Sequence, residues 1–306
     1  MPRSLAQERS ATPAASSKPA AARRIGIHTS IAGGVENAAE RARRLGCNTF
    51  QIFSTSPRRW KPYPLTGAQC EAMRNYRQKY DLRPLAIHTN YLINLAGANP
   101  PFRRQSIAAF RGEVERALAL GAEYLVLHPG SYRGSTRETG LRRVAEGIEE
   151  AVGGLQLAGN LTLLLENTAG AAFSLGGRFE QLAELLQQLQ GSVPIAACID
   201  TCHVHAAGYD LVSPEGAELT LLLLDATIGL KNIPVWHCND AKAARGSRLD
   251  RHQHIGKGSI GIEAFRRLLN DPRLQGAAFI AETPIDKPGD DRRNVKTLQS
   301  LLPGKA

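Results

Sequence analysis

The chain has 306 residues, 42% of them apolar, and sets 38 basic against 28 acidic side chains for a formal net charge of +10 at pH 7. That length suits two small domains or one α/β barrel of about 250 residues, and no apolar run approaches the roughly 18 residues of a membrane span, which excludes a transmembrane protein. Five cysteines, Cys47, Cys70, Cys198, Cys202 and Cys238, are odd in number and scattered, which speaks against a disulfide framework and for reduced thiols in a cytoplasmic protein.

Residues 1–24, MPRSLAQERSATPAASSKPAAARR, hold five basic residues and one acidic, and have no apolar stretch of the secretory kind. They read as a disordered basic leader outside the fold, with an organellar transit peptide as the alternative. The remainder keeps a charge of +6, from 33 basic and 27 acidic residues, a modest bias toward polyanionic partners such as nucleic acid. From Ile25 onward, eight short β-rich runs follow one another: RIGIH to His28, NTFQIF to Phe53, PLAIH to His88, YLVLH to His128, LTLLLE to Glu166, IAACID to Asp200, PVWH to His237 and AAFIAE to Glu282. Between them lie amphipathic stretches such as VENAAERARRLG, SIAAFRGEVERALALG, RFEQLAELLQQLQG and IEAFRRLLND, several closed by the Gly expected after a helix. Continuous apolar strands alternating with helices imply parallel strands buried on both faces, and eight such units close a barrel. The expectation is therefore a single-domain (β/α)8 TIM barrel over residues 25–303, with an open doubly wound sheet as the alternative.

Seven of the eight strands end in His, Asp or Glu. One such residue is ordinarily a hydrogen-bonded structural group; seven on the C-terminal face of a barrel, where strand ends converge, form a bowl. Carboxylates gathered there repel one another and lose hydration, and cations relieve both costs. Asp200 is followed three residues later by His203 in the loop, and Asp250 stands two before His252, a pair that extended backbone aims to one side. Imidazole and carboxylate donors suit Zn, Mn or Fe better than Mg or Ca. Cys198, Cys202 and Cys238 have no CxxC spacing and read as packing residues beside the donors.

The motifs IGIHTSIAGG, IHTNYLINLAG, LHPGSY, LLENTAG, CIDTCHVHAAGYDL, WHCNDAK, GSRLDRHQHIGKGSIG and FIAETP resemble, in order, those of endonuclease IV, the metal-dependent apurinic/apyrimidinic endonuclease family of base-excision repair. The resemblance covers residue 25 to about residue 300 and implies a TIM barrel with three Zn2+ ions, Mn2+ being a candidate at one of them. It assigns His88, His128 and Glu166 to the first ion. Glu166 would bridge to a second, held also by Asp200, His237 and Glu282, and His203, Asp250 and His252 would hold the third. Four carboxylates against three divalent ions leave a formal charge of roughly +2, matched to a phosphodiester and a hydroxide.

The implied catalytic residues are the bridging Glu166 and Glu282, which would orient or deprotonate the attacking water. The implied reaction is cleavage 5′ to an abasic site in double-stranded DNA, with trimming of blocked 3′ ends besides. By the same resemblance Arg58, in STSPRRW, and Tyr91 contact DNA at the lesion. That loop departs from the family's commoner form at Thr55 and Ser56. His28 faces the site without being a ligand, His205 and His254 are expected in solvent or loops, and a monomer with no membrane partner is expected. GKGSIG, Gly256 to Gly261, offers backbone N–H groups to a phosphate, and Arg59, Lys242, Arg245, Arg251 and Lys257 are candidate phosphate contacts on the rim.

Two other functions fit the same barrel. A sugar isomerase or epimerase of the xylose-isomerase-like kind shares the carboxylate and His metal site with fewer metals, and the set His203, Asp250 and His252 together with the basic balance stands against it. A non-catalytic DNA-binding barrel would lack ligands, and none is missing.

Overall fold

The structure, a computed structural model, describes residues 22–159 and 161–304. Most of the expected leader, residues 1–21, lies outside the described residues. Its boundary needs correction, because strand β1 (Arg24–Ile27) already starts at Arg24, paired with Ala278, and the Arg23 guanidinium donates to the carbonyls of Asp271 and Leu274. Those carbonyls tie Arg23 to the barrel, and the strand pairing ties Arg24.

After β1 come α1 (Asn37–Arg44), β2 (Phe50–Phe53), α2 (Gly67–Tyr80), β3 (Leu85–His88), α3 (Pro100–Leu120), β4 (Tyr124–Leu127) and α4 (Arg137–Val152). The second half adds β5 (Thr162–Glu166), α5 (Phe179–Leu189), β6 (Ile195–Asp200), α6 (Thr201–Ala207), α7 (Pro214–Thr227) and β7 (Val235–His237). A short antiparallel hairpin, β8 (Asp240–Ala241) and β9 (His252–Gln253), precedes α8 (Ile262–Asn270), β10 (Ala278–Ala281) and α9 (Asp290–Ser300). Eight parallel strands run in the order β1-β10-β7-β6-β5-β4-β3-β2. The two ends meet through the parallel bridge His28–Gln51 and the bond from Thr29 N–H to the Gln51 carbonyl, 2.8 Å. A Cβ on Gly26 would stand 2.0 Å from the Thr49 carbonyl oxygen, so only glycine lets β1 and β2 approach closely enough to close the TIM barrel.

Local chemistry starts and stops the helices. Thr66 and Gln69 form a reciprocal capping box on α2, Asn99 caps α3 ahead of Pro100, and Gly121 ends α3 in the left-handed region at φ 66°. Among the described residues, no helix is long and apolar enough to cross a membrane.

The core has two layers. One lies between strands and helices; the other fills the barrel and consists of Ala86, Val126, Leu164, Ala196, Cys198, Val235 and Ile280. Side chains alternate along a strand, so residues two positions beyond the interior set share its inward direction. Those residues are His88, His128, Glu166, Asp200, His237 and Glu282. The apolar plug under the bowl thus aims six polar side chains at the barrel axis.

Candidate metal centre

Among the described residues four donor groups form at the C-terminal mouth: His88, His128 and Glu166; Glu166, Asp200, His237 and Glu282; Asp200, His203 and His252; and Cys202, Asp250 and His252, with one donor atom from each residue within 4.8 Å of the others. Glu166, fully buried on β5, divides its oxygens. Oε2 lies 3.0 Å from His88 Nε2 and 3.4 Å from His128 Nε2, while Oε1 lies 2.9 Å from His237 Nδ1. Asp200 ends β6 and also caps α6, where its Oδ1 accepts from the His203 N–H at 2.9 Å. The expectation that His203 sits in a loop is corrected: it occupies the first turn of a helix, and the cap fixes its separation from Asp200.

Asp250 and His252 arrive on the hairpin. Asp250 Oδ2 lies 3.3 Å from His203 Nε2, and Oδ1 lies 3.2 Å from His252 Nε2. Asp240, which the sequence reading passed over, is fully buried and holds this region together. Its carboxylate accepts backbone N–H groups of Ala241 at 2.8 Å, Gly258 at 3.0 Å, Ile260 at 2.9 Å and Gly261 at 3.3 Å. This corrects the phosphate-cradle expectation for GKGSIG, since Asp240 consumes the N–H groups of Gly258, Ile260 and Gly261, and the Lys257 and Ser259 N–H groups go to the carbonyls of His254 and Ala241.

The imidazoles are oriented in a manner that fits a cation. His88 Nδ1 donates to the Thr89 carbonyl at 2.7 Å, His203 Nδ1 to the Asn167 carbonyl at 2.9 Å, His252 Nδ1 to the Glu282 carbonyl at 3.0 Å, and His237 Nε2 to Gln51 Oε1 at 2.8 Å. Each oxygen only accepts, so each fixes a proton on that nitrogen. The other nitrogen of each ring faces a carboxylate at 2.9–3.3 Å, where a bare lone pair is repelled and a positive charge is needed. Donors around one tetrahedral zinc at about 2.0–2.2 Å stand about 3.3–3.6 Å apart, so donor pairs near the 4.8 Å limit would close by roughly an ångström around an ion.

The electrostatics agree. Burial would raise the Glu166 carboxyl, yet His128 and His237 hold it well below the usual carboxylate range. Burial likewise opposes charge on His203 and His252, but Asp200 in both cases, with Asp250, carries them up to about 10 and about 9. His128, pushed down to about 4 by burial, stays a neutral donor, and its Nδ1 is buried without a hydrogen-bond partner.

A ring of neutral partners, of which the sequence pointed only to His28, positions these groups. Gln51 on β2 donates to Glu282 and to His28 Nδ1, and accepts from His237. It is the polar residue of the one strand that ends in an apolar side chain, two positions deeper than expected. Asn239 donates to Asp200 at 2.6 Å and accepts from the Glu282 N–H at 2.7 Å, and Asn167 Oδ1 accepts from the Asp200 N–H at 2.6 Å. His28 belongs to this ring rather than to the donor groups.

The cysteines are all free and buried. Cys198 lies in the barrel interior against His237. Cys202 brings its sulfur within 4.8 Å of donor atoms of Asp250 and His252, but burial, with Asp200 beside it, pushes the thiol up and keeps it neutral. His205 is corrected from solvent to interior: it is buried on α6 with Nε2 3.0 Å from Ser259 Oγ. His254 is half-buried, its Nδ1 accepting from Asn294.

On the rim, Tyr91 is 62% exposed, edge-on to Phe53 at 5.2 Å, and its N–H donates to the Pro57 carbonyl at 3.0 Å, joining its loop to that of Arg58. Arg58, Arg59, Lys242, Arg251 and Lys257 are exposed. Arg245 is not a free phosphate contact, being paired with Asp210 at 2.6 Å.

The family model described as xylose isomerase-like TIM barrel matches residues 39–302. A probable endonuclease 4 of Solibacter usitatus is 51% identical over 92% of this chain and 98% of its own, and one of Chloroflexus aurantiacus is 43% identical over 92% and 99%. Among solved structures, endonuclease IV from Thermus thermophilus superposes with a TM-score of 0.82 at 41% identity, over 91% of this chain and 98% of that one.

Proposed function

The chain belongs to the endonuclease IV family, and from that premise we propose that it is a DNA-repair endonuclease hydrolysing the phosphodiester 5′ to an abasic site in duplex DNA. The products are a 3′-hydroxyl and a 5′-deoxyribose phosphate, and the same centre trims blocked 3′ ends. The observation that carries this reading is Glu166, whose two oxygens reach into separate donor groups that Asp200 joins to a third.

His88, His128 and Glu166 would hold one zinc; Glu166, Asp200, His237 and Glu282 a second; and His203, Asp250 and His252 a third, with Mn2+ an alternative at one position. Bound there, the ions would supply Lewis acidity to phosphate oxygens and acidify a water toward neutral pH. Glu282, half-buried with one oxygen on Gln51 and the other 3.2 Å from His237 Nδ1, is the carboxylate placed to orient that water and hold its proton. The Gln51 amide fixes the rotamer of Glu282 and the tautomer of His237 together. Arg58 and Tyr91 would enter the duplex as cation and wedge, where a missing base makes unstacking cheap. The protein is proposed to act as a monomer in the cytoplasm, in keeping with five free cysteines.

The test is incubation with duplex DNA carrying one synthetic abasic site and identification of both new ends. A 3′ unsaturated aldehyde, the product of β-elimination, would refute hydrolysis. Sugar isomerisation without nicking would instead favour the isomerase reading.

A further inference from the structure

Phe173 breaks a local rule. It sits at φ 65° as the third residue of the turn Ala171–Ser174, closed by the Ser174 N–H donating to the Ala171 carbonyl at 3.0 Å. A positive φ at that position of a turn favours Gly or Asn, and a bulky residue there is a strained outlier. Nor is the ring sheltered in compensation: Phe173 is 44% exposed.

The ring has company of a particular kind. Tyr132 meets it edge-on at 5.8 Å, the Arg133 guanidinium lies over it at 5.5 Å from the centroid, and the Tyr132 N–H donates to the Phe173 carbonyl at 3.0 Å. Arg133 is exposed, and among the described residues no carboxylate lies within ion-pair distance of it. These residues stand in the loops after β4 and β5, just beyond His128 and Glu166. The Leu175 N–H bonds to the Gly130 carbonyl at 2.9 Å, and Ser131 exchanges two hydrogen bonds with Asn94 in the loop that carries Tyr91. A Cβ on Gly130 would stand 2.3 Å from Asn94 Oδ1, so the three loops interlock tightly.

A strained, solvent-facing aromatic beside an unpaired cation, held by a rigid frame at the mouth of the site, is the pattern of a binding surface retained at a cost in stability. We propose that Tyr132, Arg133 and Phe173 form a subsite for the DNA backbone beside the metal centre, Arg133 taking a phosphate oxygen and the Phe173 ring packing on the adjoining nucleoside. This rests on the proposed action on duplex DNA.

The experiment compares parent, Phe173→Gly, Phe173→Tyr and Arg133→Ala proteins in thermal unfolding, metal content, and equilibrium binding to a duplex with a tetrahydrofuran abasic analogue across a salt series. Phe173→Gly should raise the thermal midpoint, because glycine adopts the turn without strain, and yet weaken binding about tenfold, the scale of losing one aromatic stack. Phe173→Tyr should keep parental affinity. Arg133→Ala should reduce the slope of log K against log salt by about one. Parental affinity in Phe173→Gly, or an unchanged salt slope in Arg133→Ala, overturns the subsite. A parent that binds no duplex overturns it as well. A parent that binds abasic duplex without cutting it counts against the proposed reaction alone, while the binding comparison still decides the subsite.

Discussion

Replacing Asp240 with Asn tests whether one buried carboxylate holds the hairpin that completes the third donor group. The carboxylate spans two sets of backbone donors, Oδ1 receiving Ala241 and Ile260 at 2.8 and 2.9 Å, and Oδ2 receiving Gly258 and Gly261 at 3.0 and 3.3 Å. Asparagine keeps one acceptor and turns the other into an NH2 group facing two N–H donors. Hydrogen bonds to a charged acceptor contribute about 1.5–3 kcal/mol each, and a buried donor left alone costs about 1–3 kcal/mol. With two bonds lost and some relaxation, Asp240→Asn should destabilise by about 3–5 kcal/mol. Gly258 cannot retreat toward the strand, since a Cβ there would already be 2.3 Å from the Ala241 carbonyl, so the loop must lift. Lifting it moves Asp250 and His252, and metal held by that group should fall while the other two groups keep theirs. Equilibrium urea unfolding and metal analysis of one preparation read both effects. A loss below about 1 kcal/mol, or full destabilisation with metal content intact, would refute this account of Asp240.

Three further outcomes are expected. His252→Ala should lower zinc from about three per chain toward two, with activity lost mainly in kcat because the leaving oxygen acquires its charge in the transition state; full zinc content or a parental nicking rate would show the third group to be wrongly drawn. Tyr91→Ala and Arg58→Ala should reduce the preference for abasic over intact duplex while metal content holds, and an unchanged preference in competition binding would return both to ordinary surface residues. In chelated protein, His203 and His252 rise from the ordinary 6.5 to about 10 and about 9; raised values stabilise the fold fully below pH 6.5 and lose that contribution as pH climbs through 9 and 10. Chelated protein should therefore unfold at lower urea at pH 10 than at pH 6.5, and a flat profile would show that these rings are not paired with Asp200 and Asp250.

Much of the barrel and bowl was legible in the sequence because both follow from a period of two. A strand apolar until its last residue announces which side chain emerges at the barrel axis, and the interior residues Val126, Leu164 and Val235 confirm that direction for His128, Glu166 and His237. What stayed hidden depends on partners distant in sequence. Asp240 looks like any loop aspartate until Gly258, Ile260 and Gly261 fold onto it, so N–H groups of GKGSIG from Lys257 onward seemed free when they were already taken. His205 seemed a solvent histidine because nothing nearby in sequence reveals Ser259 across the hairpin. Gln51 could have been found as the one polar side chain inside an apolar run, but the pattern sought was a polar residue at the strand end.

The division between strand ends and added elements bears on how this barrel gathers more donor groups than its strand ends alone supply. Eight strands supply a limited ring of inward positions, and here His28 and Gln51, from β1 and β2, are occupied in holding Glu282 and His237. The remaining six positions form the first two donor groups. A third group has to draw on side chains beyond the strands, and it does: His203 from α6 and His252 from the hairpin join Asp200, with Asp250 beside both rings, Asp200 acting as helix cap and Asp240 as loop anchor. Asp200 thereby serves two groups at once, so the added triad is electrostatically joined to the strand-borne site, yet it is mechanically anchored elsewhere. Loss of the Asp240 anchor should consequently strip the third group and spare the first two, whereas loss of Asp200 should disturb both the second and the third.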